Sequence, residues 1–238
     1  MKIDIIRKLP EHLDTIIVMQ EENGAVKDVE HLSPELVTQI EAFLKHEDYC
    51  FRYADIRSFC RIIEHKRQNV ILLGAGIKDL LNVDKLRNLI ALALRTAARL
   101  KAKQVFLFPG FFSHENEVSY GHVLAEAGLL TAYRFDKYQS SEKHEPVEAL
   151  HYVLNTHNTR HLNRGILEGR IFAEATNLAR DMVNEPANVM TPEVLAETAK
   201  KAALQYGLSV DVLSLDKLKR MKMDAFLAVG RGSVHEPR

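Results

Sequence analysis

The chain has 238 residues, 46% hydrophobic and 27% charged, with 32 Lys+Arg against 32 Asp+Glu. That is the composition of an ordinary globular protein, long enough for one full domain plus part of another. It offers no overall basic field to hold nucleic acid, and no stretch approaches the roughly 20 apolar residues of a membrane span.

Met1 to Ile6 carries an acidic residue and lacks the long apolar core of a signal peptide, so a cytoplasmic location is expected. Thr15 to Met19 is a short apolar, β-branched run, the pattern of a buried strand. Ser33-Pro34-Glu35 opens a helix with a capping side chain and a proline in the first turn, and Leu36, Val37, Ile40, Phe43 and Leu44 form its apolar face. Cys50 and Cys60 make neither a CxxC pair nor a disulfide framework; they read as buried or semi-buried thiols in a reducing compartment. Asn69 to Gly74 is a second buried strand, stopped by glycine. A helix follows from Val83-Asp84 through Leu86, Leu89, Ile90, Ala93, Leu94 and Ala97. Gln104 to Gly110 is a third strand closed by Pro109-Gly110, then a helix runs through Val118, Val123, Leu124 and Ala127, and a strand through Val147 to Leu154. Strand, crossover helix, strand, repeated, predicts an α/β layered domain with a parallel or mixed sheet.

The organisation changes near Asn158. From there to about Asn184 one long helical pattern places Leu162, Ile166, Ile171, Ala175, Leu178, Met182 and Val183 near one face, as suits a connector. Thr191-Pro192-Glu193 caps the next helix, which ends at Gly207. Leu208 to Leu213 alternates as a strand, Leu215 to Met221 is a short helix, and Ala225 to Gly230 is expected to be a final strand. With only two strands, this second region reads as the beginning of a larger α/β domain.

Few motifs carry chemistry. Gly74-Ala75-Gly76 follows a strand, but position 79 is Asp where a dinucleotide fingerprint needs its third glycine, so a glycine turn is the reading. Gly230-Arg231-Gly232-Ser233 is read as a turn leaving a strand, where backbone amides could face an anion. His157 and His161 are four apart on the long helix, without an HExxH pattern or a nearby carboxylate to complete a metal site. His144-Glu145 and His235-Glu236 are isolated pairs in polar loops. There is no clustered DxDxDG spacing, no GxSxG elbow and no Walker loop. Residue chemistry alone therefore yields no catalytic residue and no metal ligand.

One stretch is more specific. Leu178 to Pro192, L-A-R-D-M-V-N-E-P-A-N-V-M-T-P, resembles the segment joining the two domains of the leucyl (cytosol) aminopeptidase family. The resemblance continues through Leu195-Ala196, Gly207 to Val210 and Met223 to Ser233, and is looser over the first 150 or so residues. It implies three parts: a mixed-sheet, macrodomain-like α/β domain at 1–157, a linker helix at 158–185, and the start of an α/β catalytic domain at 186–238. In these terms Arg180, Asp181, Asn184, Glu185, Pro186, Asn188 and Pro192 form the domain junction, and Gly230, Arg231, Gly232 and Ser233 the first turn of the catalytic domain.

The family's reaction is release of N-terminal amino acids, often leucine, from peptides. Two divalent metals, zinc or manganese, activate water and hold the substrate's amine and carbonyl. Its ligands lie in motifs of the type VGKGxTFDxGG and NTDAEGR, neither of which occurs here. The resemblance thus implies a hydrolase whose metals and catalytic residues lie beyond Arg238, and no metal or activity is expected of these residues alone. It also implies peptide substrates and a homo-oligomer, a hexamer. The alternative is a non-catalytic assembly or DNA-binding module of such an enzyme, and the macrodomain analogy adds ADP-ribose binding on fold alone.

Overall fold

A computed structural model describes residues 1–26, 29, 31–109, 117–140, 146–154 and 159–238. Its sheet is built on the two most apolar runs of the sequence. β2 (Thr15–Glu21) and β4 (Lys66–Gly76) lie side by side in parallel, and Ile16 to Met19 and Val70 to Leu73 are completely buried. Burial on both faces explains why these strands read as continuous rather than alternating apolar segments. β5 (Gln104–Pro109) pairs with β2, β6 (Ala149–Val153) with β5, and β1 (Lys2–Ile6) with β6, all in parallel. β3 (Ile56–Ile63) is antiparallel to β4 and closes the other edge, giving the order β1-β6-β5-β2-β4-β3. The fold is the predicted mixed α/β sheet.

Parallel neighbours need crossover connections, and helices supply them. α2 (Val83–Arg99), α3 (Glu117–Ala132) and the beginning of α4 (Arg160–Asn184) bury Leu89, Ile90, Val123, Leu124, Leu162 and Ile166 with the Ile17, Met19, Ile71 and Leu73 side of the sheet. α1 (Pro34–Glu47) puts Leu36 and Ile40 against Ile16, Val18, Val70 and Leu72 on the opposite side. Its cap is as expected: Ser33 Oγ accepts from Leu36 N–H, with Pro34 in the first turn.

Two strands lacked a usable signal. β1 is five residues long with Lys2 and Asp4 interrupting the apolar pattern, and β3 mixes Arg57, Ser58 and Arg61 among its apolar residues, as edge strands do. Cys60, expected to be at least half-buried, stands exposed on the edge strand β3, whose neighbouring Phe59 instead packs on Phe43; Cys50 is half-buried.

The chain divides into two compact units, Met1–Asn177 and Leu178–Arg238, and the division falls inside α4. Leu162, Gly165, Ile166, Gly169 and Ala173 of α4 are buried, so its first half belongs to the core of the first unit. The boundary expected at 157/158 lies outside the described residues. The second unit contains the end of α4, α5 (Pro192–Tyr206), α6 (Leu215–Arg220) and α7 (Asp224–Gly230).

The two strands expected in this second unit do not form: 208–213 has no regular structure, and Ala225 to Gly230, read as a strand, is the body of α7. All the strands among the described residues pair in the first unit's sheet. Without a ladder to join, backbone groups are satisfied within a helix, as in α7, or by solvent, as along exposed 208–211.

Candidate functional site

The domain-junction residues form a tight turn between two helices. Glu185 N–H bonds back to Asp181 C=O at 3.1 Å as α4 ends. Pro186 C=O then accepts from Val189 and Met190 N–H at 2.8 and 2.9 Å, folding 186–190 into a compact turn. Thr191 Oγ1 accepts from Val194 N–H, Pro192 occupies the first turn of α5, and Gly207 closes α5 in the left-handed region at φ 67°. Pro186 and Pro192 hold their predecessors away from helical torsions, which separates the two helices cleanly. Arg180, Asp181, Asn184 and Glu185 each have interaction partners, while Pro186 and Asn188 are exposed.

Gly230-Arg231-Gly232-Ser233, expected to leave a strand, leaves α7 instead. Ser233 N–H bonds Gly230 C=O at 3.0 Å, and Ser233 Oγ accepts from His235 N–H at 3.1 Å. Arg231 is exposed, so this turn presents no enclosed anion cradle. Gly74-Ala75-Gly76, read as a glycine turn, is instead the buried end of β4, which runs on to Gly76, and close packing explains its glycines. A Cβ at Gly74 would stand 1.9 Å from the Arg52 carbonyl oxygen, and Gly76 has φ +73°.

His161 is exposed, and its partner in the metal reading, His157, lies outside the described residues, as do His144-Glu145 and Gly110. Among the described residues no three His, Cys, Asp or Glu side chains converge as metal ligands. They therefore do not fit a two-metal centre. No described helix is long and apolar enough to cross a membrane.

The sheet does assemble one ionisable cluster that sequence reading missed. Phe106, His151 and Asp4 are register neighbours across β5, β6 and β1. His151 Nδ1 lies 2.5 Å from Asp4 Oδ1, its ring stacks on Phe106 at 4.8 Å, and Lys2 Nζ lies 2.7 Å from Asp4 Oδ2. Burial by itself would raise the Asp4 carboxyl, but the hydrogen bonds and charges of Lys2 and His151 outweigh it and hold the group below its ordinary value. Nothing links residues 4 and 151 in sequence; only strand order brings them together.

The consequence is measurable. A carboxyl with a depressed folded pKa adds stability above its unfolded pKa, about 4, and loses it as pH falls through the folded value. Urea midpoints of the parent chain and Asp4→Asn should differ in the parent's favour near neutrality and converge below about pH 4. Parallel curves through that window would remove the cluster from the stability account.

Comparison with known proteins gives two family matches in chain order. The sequence model of the cytosol aminopeptidase family's N-terminal domain matches residues 16–142, and that of its catalytic domain matches residues 177–238. A probable cytosol aminopeptidase of Clostridium perfringens is 33% identical over 210 residues, covering 86% of this chain and 42% of that protein. One from Alkaliphilus metalliredigens is 30% identical over 247 residues, covering 100% of this chain and 49% of that protein. The chain therefore spans about half the length, or less, of these relatives. Among solved structures, a tomato leucine aminopeptidase mutant shares the fold at TM-score 0.79 and 21% identity, over 99% of this chain and 49% of its own. The bottromycin maturation enzyme BotP does so at TM-score 0.73 and 24% identity, over 94% of this chain and 44% of its own, and has also been solved in complex with Mn.

Proposed function

Because this chain belongs to the cytosol aminopeptidase family, we propose that it is the N-terminal part of a metal-dependent, leucyl-type aminopeptidase that releases N-terminal amino acids from peptides. The observation that carries this reading is the ordered pair of family matches, 16–142 and 177–238, the second of which contains the junction turn. The manganese bound to a structural neighbour supports a divalent-metal parent. The lack of a ligand cluster among the described residues, with the absence of both ligand motifs from the sequence, supports placing metals and catalytic groups beyond Arg238. On this reading the substrates are peptides, and the parent is a cytoplasmic homo-oligomer, a hexamer by family resemblance.

Leucyl-p-nitroanilide with added Mn²⁺ or Zn²⁺ tests it. The 238-residue chain should release no p-nitroaniline above the metal-only control. A longer polypeptide continuing through the two ligand motifs should turn over and lose activity with a chelator. Metal-dependent turnover by the 238 residues alone would overturn the assignment of the chemistry to downstream residues.

A further inference from the structure

A cavity of about 240 Å³ opens in the first unit between the C-terminal ends of α2 and α3 and the chain entering β6. Its wall carries three arginines, Arg95 and Arg99 from α2 and Arg134 just past α3, over a floor that includes Leu94, Ala98 and Val147. Among the described residues, no carboxylate lines it. Among the described residues none of the three guanidiniums has an ion-pair or hydrogen-bond partner, although Arg57, Arg87 and Arg164 elsewhere all do. We propose that this cavity binds a small organic phosphate monoester, with the phosphate held by Arg95, Arg99 and Arg134 and the organic body on the apolar floor.

The argument is one of charge and shape. A cation in the last turn of a helix complements the helix dipole, which accounts for Arg99. It does not account for Arg95 one turn earlier, nor for Arg134 reaching the same cavity from the other helix. Three like charges around one hollow raise the local positive potential; solvent and salt screen part of their repulsion, and an anion placed among them relieves more of it. The planar guanidinium fork matches phosphate and carboxylate oxygens equally well. A dianionic monoester balances two of the three charges, whereas a carboxylate or a phosphodiester balances one. The volume lies below the roughly 300–1,000 Å³ of drug-sized ligand sites, so it suits a small ester rather than a dinucleotide. The apolar floor gives such an ester an advantage over inorganic phosphate.

Calorimetric titration of the chain with phenyl phosphate, inorganic phosphate and benzoate tests the proposal. Phenyl phosphate should bind saturably, inorganic phosphate and benzoate each at least about tenfold more weakly. Arg95→Gln/Arg134→Gln should weaken phenyl phosphate binding by about tenfold or more while the exposed substitutions leave the melting curve unchanged. On the unsubstituted chain, phenyl phosphate should also slow phenylglyoxal modification of Arg95, Arg99 and Arg134 relative to Arg220, a readout independent of how the variant folds. Absence of saturable heat, equal affinity for inorganic phosphate or benzoate, or unprotected arginines would each overturn it.

Discussion

Gly165→Leu, and Gly169→Leu beside it, should cost the first unit several kcal/mol, on the scale of the largest single-residue effects. Here α3 and the first half of α4 meet backbone to backbone. A Cβ at Gly165 would lie 2.0 Å from the Val118 carbonyl oxygen, one at Gly169 2.2 Å from that of His122, and one at Gly121 2.2 Å from that of Leu162. The obstacle in each case is main chain, which cannot rotate away as a side chain can. Relief requires the helices to separate, and separation opens the layer in which Val123, Leu124, Leu162 and Ile166 are packed.

Alanine is the sharper test, because two effects then oppose. Gly→Ala inside a helix gains up to about 1 kcal/mol from propensity. A contact near 2 Å outweighs that gain, so Gly165→Ala should still lower the urea midpoint, whereas Glu174→Ala on the exposed side should leave it within error. A Gly165→Ala chain as stable as its parent would mean that the helices are not held this closely.

The second large effect is expected at Gly74→Ala. Gly74 is buried in β4 beneath the 51–55 segment, 1.9 Å from the Arg52 oxygen and 2.5 Å from the Phe51 carbonyl carbon, measured from an added Cβ. The segment is tied to β4 by Ala54 N–H to Gly74 C=O and Gly74 N–H to Asp55 C=O, both at 2.9 Å, and by Gly76 N–H to Phe51 C=O at 3.1 Å. One methyl group must lift the segment, breaking these bonds and drawing buried Phe51 away from Tyr49 and the core. Several buried hydrogen bonds at about 1 kcal/mol each, with part of an aromatic side chain's burial, add to a loss of about 3 kcal/mol or more. Hydrogen exchange should locate the damage: the Ala54 and Gly76 amides should lose protection before those of β5. Uniform loss, or none, would contradict a local clash.

Sequence reading succeeded where a segment's own pattern decides its state. The runs Thr15 to Met19 and Asn69 to Gly74 are apolar and β-branched, and the Ser33 and Thr191 caps announce their helices locally. It failed at β1 and β3, whose charged residues hide the pattern until neighbouring strands supply a ladder. It failed again at Ala225 to Gly230, whose composition suits strand or helix and whose surroundings offer no strand partner.

The glycines divide in the same way. Gly207 as a helix stop is legible from its place after α5, but Gly121, Gly165 and Gly169 look like ordinary helix defects until two helices are laid together.

By itself the sequence determined the family, through the Leu178 to Pro192 junction, and the α/β order of strands and helices, because both depend on neighbours a few residues away. Only the tertiary structure decided that Asp4 faces His151, that three glycines allow α3 and α4 to touch, and that Arg134 joins Arg95 and Arg99 around one cavity. Those pairings lie tens of residues to well over a hundred apart along the chain. They exist because strand order and helix packing, rather than local pattern, set which side chains become neighbours.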